Sequence, residues 1–267
     1  MDHFRLAEIN IYPIKSAAGI SLKSALAENR GLEHDRRWLL IDQNNRFVTQ
    51  REFPRMALIS TAFSETELEV EAPGMNRISI PAPQQLDSLL VTIWKNECFA
   101  VSAGKEAGAW FSEFLEAPVQ LVYMQDEVRR PINPDYAKPG DHVSFADAYP
   151  YLLIAEASLD DLNSRLEKPL PMNRFRPNLV VSGCRSFEED QWKRIRIGRI
   201  EFRVVKACDR CVVTTIDQIS TAKAREPLRT LAQYRKMDGK VFFGQNLIPD
   251  QTGMLHLNDP VEVLERK

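Results

Sequence analysis

The sequence predicts an α+β fold in which β-strands predominate. Three observations support this: apolar and polar residues alternate along most of the chain, Pro, Gly and Asn separate the short alternating segments, and few segments have helical spacing. The 267 residues are enough for one large domain or two closely packed ones. With 44% hydrophobic and 27% charged residues, the composition is that of a globular protein and argues against a disordered or fibrous chain.

The first half of the chain carries the clearest strand pattern. Residues 4–11 alternate up to Pro13, and residues 38–42 and 47–50 flank a polar linker that is typical of a hairpin. Further strands are predicted over residues 56–63, 67–70, 77–80, 89–94 and 99–101. Such closely spaced short strands favour a barrel. Residues 105–115 have helical spacing and are expected to close this first unit with a short helix.

The second half mixes a long loop, short helices and a hairpin. Residues 126–141 are rich in proline and predict a loop. Ser158 is expected to cap one helix, and another helix is expected to begin near Pro227. Between them, residues 195–204 alternate around a Gly-Arg turn and predict a hairpin that runs directly into Cys208.

Charge and apolar content argue against several kinds of partner. There are 35 basic and 37 acidic residues, a formal net charge of −2, so we expect no nucleic-acid partner and no attraction to an anionic membrane. The first residues lack the features of a signal peptide, and no apolar run reaches the roughly 20 residues that span a bilayer. We therefore expect a cytoplasmic protein whose four cysteines are reduced thiols.

The most specific local feature is the segment 207–217, which contains Cys208, Asp209, Arg210 and Cys211. An arginine beside a cysteine is expected to lower the pKa of the thiol and favour the thiolate, which binds soft metals and attacks electrophiles. Half of a zinc site, a redox dithiol and two inert core cysteines are the alternatives. Asp217, at the end of the segment, is interpreted either as a group that orients substrate or a proton, or as a turn cap.

Several basic residues form a second candidate feature. Arg174 and Arg176 are two positions apart, so on an extended segment they would share one face and could bind phosphate. Lys15 with Ser16, and Arg36 with its neighbours, stand near strand ends. Solvated faces and surface ion pairs are the simpler interpretation of each group taken alone.

Read in order, these pieces resemble the MOSC family, in the branch related to the mitochondrial amidoxime-reducing component and its bacterial counterparts. The motifs are Tyr-Pro-Ile-Lys-Ser at 12–16, Asp-Arg-Arg-Trp at 35–38, Val-Thr-Gln-Arg at 48–51, Phe-Arg-Pro-Asn at 175–178, Cys-Asp-Arg-Cys at 208–211 and Phe-Gly-Gln-Asn at 243–246. The resemblance implies an N-terminal β-barrel domain (residues 1–120) packed on a MOSC β-barrel domain (residues 121–267), with a few short helices.

The resemblance also implies a pyranopterin molybdenum cofactor between the two domains. Cys211 is the expected ligand of molybdenum. The residues expected to bind the cofactor are Lys15, Ser16, Arg36, Arg176, Asn178 and Arg210. One departure from some relatives is the sequence Asp-Ala-Tyr at 147–149, where they carry small hydroxyl residues after the aspartate.

The function implied is reduction of N-hydroxylated or related N-oxygenated small molecules. The chain has no cysteine cluster of the ferredoxin type, so the electrons are expected to come from a separate ferredoxin- or flavin-type reductase. Two alternatives use the same residues: sulfur transfer through a persulfide on Cys211, and binding or delivery of the cofactor without turnover.

Overall fold

The computed structural model describes residues 4–64, 67–84 and 88–267. The expectation of no signal peptide rests in part on residues 1–3, which lie outside the described residues. The strands of the first half are β1 (Arg5–Ile11), β2 (Ile20–Leu22), β3 (Ser24–Glu28), β4 (Gly31–Leu32), β5 (Trp38–Ile41), β6 (Ser60–Ser64), β7 (Glu67–Glu71), β8 (Ile78–Pro81), β9 (Ser88–Ile93), β10 (Asn96–Ser102) and β11 (Gln120–Tyr123). Those of the second half are β12 (Arg130–Pro131), β13 (His142–Val143), β14 (Tyr151–Ala155), β15 (Leu179–Ser182), β16 (Trp192–Ile197), β17 (Ile200–Asp209), β18 (Lys236–Met237), β19 (Lys240–Pro249), β20 (Gly253–His256) and β21 (Val261–Arg266).

Helices are few and short in the described part of the chain. The α-helices are α1 (Lys105–Leu115), α2 (Glu156–Ser164) and α3 (Leu228–Leu231). Four 3-10 helices cover Pro54–Leu58, Met172–Arg174, Glu188–Gln191 and Val212–Thr215. The predicted α+β class with a predominance of strands is therefore confirmed.

A nine-stranded sheet forms the largest element of the fold. Its order is β2-β1-β15-β14-β19-β17-β16-β21, with β18 paired to β19. The pair β14 and β15 is parallel, whereas the other pairs in this sheet are antiparallel. Its buried face forms one hydrophobic core with β3 and β4, around side chains such as Trp192, Tyr151 and Phe202. This sheet therefore contains three strands, β1, β15 and β17, whose ends lie close in sequence to candidate site residues.

Smaller sheets form the rest of the molecule. They are β5-β11-β10-β9, β6-β7-β8, β20-β3-β4 and the pair β12-β13. Helix α1 buries Trp110, Phe111 and Phe114 in a second core with residues of β5, β7 and β8, because these aromatic side chains recur at helical spacing.

Two local predictions are wrong. Residues 56–63 do not form one strand, because Pro54 begins a 3-10 helix that buries Met56 and Ala57, and the strand starts at Ser60. Ser158 does not cap a helix: α2 begins at Glu156, and the buried Ser158 hydroxyl donates to Glu189 instead.

The predicted boundary between residues 120 and 121 lies inside the strand pairing. β11 starts at Gln120 and pairs with β5 and β10 of the first half. Strands of the first half also pair with strands of the second half: β1 pairs with β15, and β3 pairs with β20. The division into residues 1–120 and 121–267 therefore stays a prediction, and the first strands hydrogen-bond with the second half.

No helix in the described ranges has the length and apolar character needed to cross a membrane.

Candidate functional site

A polar pocket forms where loops from both halves of the chain meet. Its walls come from the turn after β1, the turn before β5, the segment after β5, the loop before β14, the segment before β15 and the end of β17. Six basic side chains line it: Lys15, Arg36, Arg51, Arg174, Arg176 and Arg210. Among the lining residues that the structure describes, two are acidic, Asp147 and Asp209. Arg36 and Arg174 are also paired with carboxylates outside the lining, Asp35 and Asp217, so the pocket carries a moderate excess of positive charge, which attracts anions.

The buried ammonium of Lys15 is held by the loop that precedes β14. Its Nζ donates to the carbonyl oxygen of Phe145 at 2.9 Å and to Asp147 Oδ1 at 2.5 Å. Burial lowers the pKa of Lys15 to about 8, against the opposing charge of Asp147. Desolvation favours the neutral form of Asp147, but Lys15 outweighs it and holds the pKa of that carboxyl below its ordinary value. The two side chains therefore form an ion pair at neutral pH.

Two arginines are fixed against the ring of Tyr12. The guanidinium carbons of Arg36 and Arg176 each lie 4.2 Å from its ring centroid. Arg36 Nη1 donates to both carboxylate oxygens of the fully buried Asp35. Arg176 Nη1 donates to the carbonyl oxygen of Ala17 at 2.7 Å. These contacts hold both guanidinium groups rigidly in the pocket wall.

Three of the predicted cofactor residues have a left-handed backbone. Ser16 has φ 70°, Arg36 has φ 50° and Arg176 has φ 55°. Residues other than glycine seldom adopt this region, and such conformations persist where the surrounding structure imposes them, often at functional sites. Because all three residues line one pocket, these backbone conformations indicate that the surrounding structure fixes the positions of their side chains at the site.

Two buried guanidinium N–H groups in the pocket have no hydrogen-bond partner within the described ranges. They are Arg176 Nη2 and Arg210 Nε. A buried donor without a partner costs roughly 1–3 kcal/mol. Burial lowers the pKa of Arg176 to about 10, so this side chain still carries its charge at neutral pH. The pocket therefore offers fixed donors to a ligand rich in acceptors.

The two cysteines of the Cys-x-x-Cys segment contact different arginines. Cys208 Sγ accepts a hydrogen bond from Arg210 Nη1 at 3.0 Å. Cys211 Sγ accepts one from Arg51 Nη2 at 3.1 Å, from a residue 160 positions away. Both cysteines line the pocket, so the Cys211 sulfur lies beside a cation and close to the predicted anion site.

Two predictions about these motifs are wrong in detail. Burial raises the pKa of Cys208 although Arg210 opposes it, so the neighbouring arginine does not produce a lowered pKa there. The segment with Arg174 and Arg176 is not extended: Arg174 ends a 3-10 helix, and Arg176 is left-handed. Both arginines nevertheless line the pocket, because the turn between them replaces the alternation expected of a strand.

Asn178 and Asp217 lie in more structural positions than the other candidates. The Asn178 amide borders the pocket but donates to the carbonyl oxygen of Asn10 and accepts from the Leu152 amide. Asp217 is not part of the pocket lining: one oxygen accepts from the amide and hydroxyl of Ser220, and the other pairs with Arg174 at 2.9 Å. Its catalytic role stays a prediction, and its contacts are those of a turn cap.

Two side chains at the site were given no role by the sequence. Arg51 ends the Val-Thr-Gln-Arg motif, which contributed to the family resemblance but gave Arg51 no role in the site. Asp147 stood beside the noted departure at Ala148. Their contacts to Cys211 and Lys15 join segments more than 130 residues apart, so local sequence offered no means of pairing them.

Comparison with known proteins agrees with this architecture. Residues 3–118 match the family model described as the MOSC N-terminal beta barrel domain, and residues 140–262 match the MOSC domain. The chain is 34% identical to mitochondrial amidoxime-reducing component 1 of Danio rerio, with 96% of this chain and 83% of the relative covered. The human component 1 is 35% identical, with 97% and 82% covered. Component 2 of Bos taurus is 34% identical, with 96% and 82% covered.

The fold and the pocket together define a MOSC-type protein with an N-terminal MOSC-associated unit. The chain belongs to the MOSC family, and the relatives that it matches along most of its length are mitochondrial amidoxime-reducing components. The predicted resemblance is therefore confirmed.

Proposed function

We propose that this protein is a molybdenum-cofactor-dependent oxidoreductase that reduces N-hydroxylated or related N-oxygenated small molecules. The observation that carries the proposal is a cationic pocket that contains the Cys211 thiol together with two buried guanidinium N–H groups for which the described residues offer no acceptor. The names of the matched relatives supply the substrate type.

The residues present fit an anionic pterin cofactor. Lys15 supplies a point charge, and Arg36 and Arg176 supply planar forks suited to phosphate. Arg176 Nη2 and Arg210 Nε are the donors that would gain acceptors on binding. Cys211, which lines the same pocket, would supply a soft sulfur ligand suited to molybdenum.

When bound, the cofactor would supply the two-electron redox chemistry that the reduction needs. The chain itself positions and charges the site. Arg51 holds the Cys211 sulfur at 3.1 Å, and Asp147 holds the Lys15 ammonium. Arg174 is fixed by Asp217, which we assign a positioning role rather than contact with substrate.

The proposed setting includes a separate electron-donor protein of the ferredoxin or flavin type and a cytoplasmic location. The first is supported by the small number of cysteines: of the four in the sequence, two remain once the pocket pair is set aside, fewer than the four that a ferredoxin-type cluster needs. The second is supported by the four free cysteines, because reduced thiols are usual in that compartment.

The test uses protein purified from a host that makes the cofactor. Molybdenum is measured by mass spectrometry, the pterin by fluorescence after oxidation, and turnover by reduction of benzamidoxime with a reduced viologen as the electron donor. Cys211→Ser is compared with Cys184→Ser, which changes a buried cysteine in the core of the nine-stranded sheet. We expect near-stoichiometric molybdenum and turnover in the wild type and in Cys184→Ser, and loss of both in Cys211→Ser.

The other outcomes identify the alternatives. Molybdenum without turnover on any N-oxygenated compound would indicate a cofactor carrier. Protein without molybdenum, but with a labile sulfur on Cys211, would indicate sulfur transfer. Either result overturns the proposed reductase activity.

A further inference from the structure

A bulky aromatic residue occupies a turn position that normally takes a small one. Ile93 pairs with Asn96 across β9 and β10, so Trp94 and Lys95 form the two-residue turn between these strands. Trp94 has φ 57°, in the left-handed region. Tight hairpin turns favour Asn, Asp or Gly in this conformation, and a bulky residue there is an outlier that carries strain. Strained positions of this kind are concentrated at active sites and ligand-binding segments.

The indole is tied directly to the pocket. The Arg51 guanidinium lies 4.6 Å from its ring centroid, and the indole Nε1 donates to Asp147 Oδ1 at 3.2 Å. Phe47 packs against it with the ring centroids 5.0 Å apart. Because Arg51 also donates to the Cys211 sulfur, the indole is separated from that sulfur by one side chain.

Apolar surface remains exposed beside the pocket, next to residues of its lining. Trp94 is 50% exposed despite its three contacts, and Val212, which follows Cys211, is 43% exposed. A rigid, half-exposed aromatic ring beside a reactive centre offers area for stacking at little cost in conformational entropy. Its Arg51 and Asp147 contacts hold the ring in one orientation.

We infer that Trp94 is a specificity-determining residue that binds the planar, conjugated part of the substrate. The inference rests on the proposed function and names the favoured substrate class as N-oxygenated compounds in which the N–O group is attached to an aryl or similarly planar group. Small aliphatic N-oxygenated compounds reach the same centre without this contact. Trp94 therefore favours aryl substrates through binding and leaves the chemical step unchanged.

The test compares an aryl and an aliphatic substrate in the cofactor-loaded enzyme. KM and kcat are measured for benzamidoxime and acetamidoxime with a reduced viologen, which removes any need for a protein donor to dock. For Trp94→Ala we expect KM for benzamidoxime to rise roughly 3- to 10-fold, the range of one aromatic contact, while KM for acetamidoxime stays within twofold. Trp94→Phe should restore most of the aryl preference.

The matched control is Phe99→Ala on the same hairpin. Neither residue is part of the pocket lining, but Trp94 contacts the lining residues Arg51 and Asp147. Phe99 is 56% exposed and, in the described part of the chain, makes no ring or cation–π contact with a lining residue, so its loss removes a comparable apolar surface and is expected to leave both KM values unchanged. Thermal unfolding and molybdenum content of each variant show whether it is folded and loaded. If Trp94→Ala unfolds or loses molybdenum, the comparison is made with Trp94→Leu, which keeps apolar bulk without an aromatic face.

A binding measurement separates this inference from the proposed function. The Kd of benzamidoxime is measured by calorimetry on loaded protein without reductant. A wild type that binds benzamidoxime in a Trp94-dependent manner but does not reduce it would contradict the proposed function and support the inference. If the wild type reduces both substrates and Trp94→Ala changes their KM values by the same factor, or changes neither, the inference is overturned while the proposed function stands. A wild type that neither binds nor reduces benzamidoxime would overturn both.

Discussion

Replacing Arg176 with methionine is expected to weaken cofactor binding far more than it weakens the fold. Methionine keeps much of the side-chain length and removes the charge. The loss of the hydrogen bond to Ala17 and of the contact with Tyr12 costs roughly 2–4 kcal/mol. Removal of the buried, unpartnered Nη2 relieves roughly 1–3 kcal/mol. The free energy of unfolding of the cofactor-free protein should therefore fall by roughly 1 kcal/mol.

The effect on binding is larger because a charge-assisted hydrogen bond to the cofactor is lost. Such a bond contributes roughly 1.5–3 kcal/mol, which corresponds to a roughly 10- to 150-fold weaker Kd. A ligand at 1,000 times its Kd stabilises a protein by about 4.1 kcal/mol, so the variant would keep about 1–2.6 kcal/mol of that stabilisation. At about 2–4 °C per kcal/mol, the cofactor-induced rise in Tm should shrink by roughly 3–12 °C.

The assay is thermal unfolding of loaded and cofactor-free protein for each variant. The control is Arg203→Met on β17, where Arg203 pairs with Asp141 and Asp250 away from the pocket. That change is expected to lower both melting temperatures by similar amounts and to leave the cofactor-induced difference intact. An Arg176→Met protein with the wild-type cofactor-induced difference would refute the role assigned to its free donor.

Three further outcomes are expected. Cys208→Ser should keep most of its molybdenum and activity, because the serine hydroxyl can still accept a hydrogen bond from Arg210. A loss of molybdenum and activity as complete as in Cys211→Ser would contradict the assignment of Cys211 as the metal ligand. The affinity of cofactor-free protein for a phosphate monoester, measured by calorimetry from pH 6.5 to 9.5, should fall as pH rises through about 8, because Lys15 loses its proton there. Lys15→Met should abolish this pH dependence, and an unchanged dependence in that variant would exclude Lys15 as its source. Gly244→Ala should lower the free energy of unfolding by roughly 2–4 kcal/mol in denaturant titration, because Gly244 has φ 83° and an added Cβ would lie 2.7 Å from the Ile154 side chain. A loss below roughly 0.5 kcal/mol in the same titration would show that the backbone shifts to accommodate the methyl group.

The fold class was predictable because alternation is a local property. Each strand of a half-buried sheet needs an apolar residue at every second position, and this period is visible in segments such as residues 4–11 and 195–204. The choice of partner strand was not visible, because hydrogen bonding between β1 and β15 joins residues far apart in sequence. Pro54 changed one predicted strand into a 3-10 helix where burial of Met56 outweighed the local pattern.

The chemistry of the site was partly predictable for the same reason. Residue types decide which groups can bind an anion or a soft metal, so Lys15, Arg36, Arg176 and Cys211 could be chosen from their motifs. The tertiary structure alone decided that Arg51 faces the Cys211 sulfur and that the predicted cations line one pocket. The sequence by itself determined the strands and the kinds of side chain available, whereas packing of distant segments decided which of them meet, because non-local contacts depend on burial and charge pairing that no local pattern records.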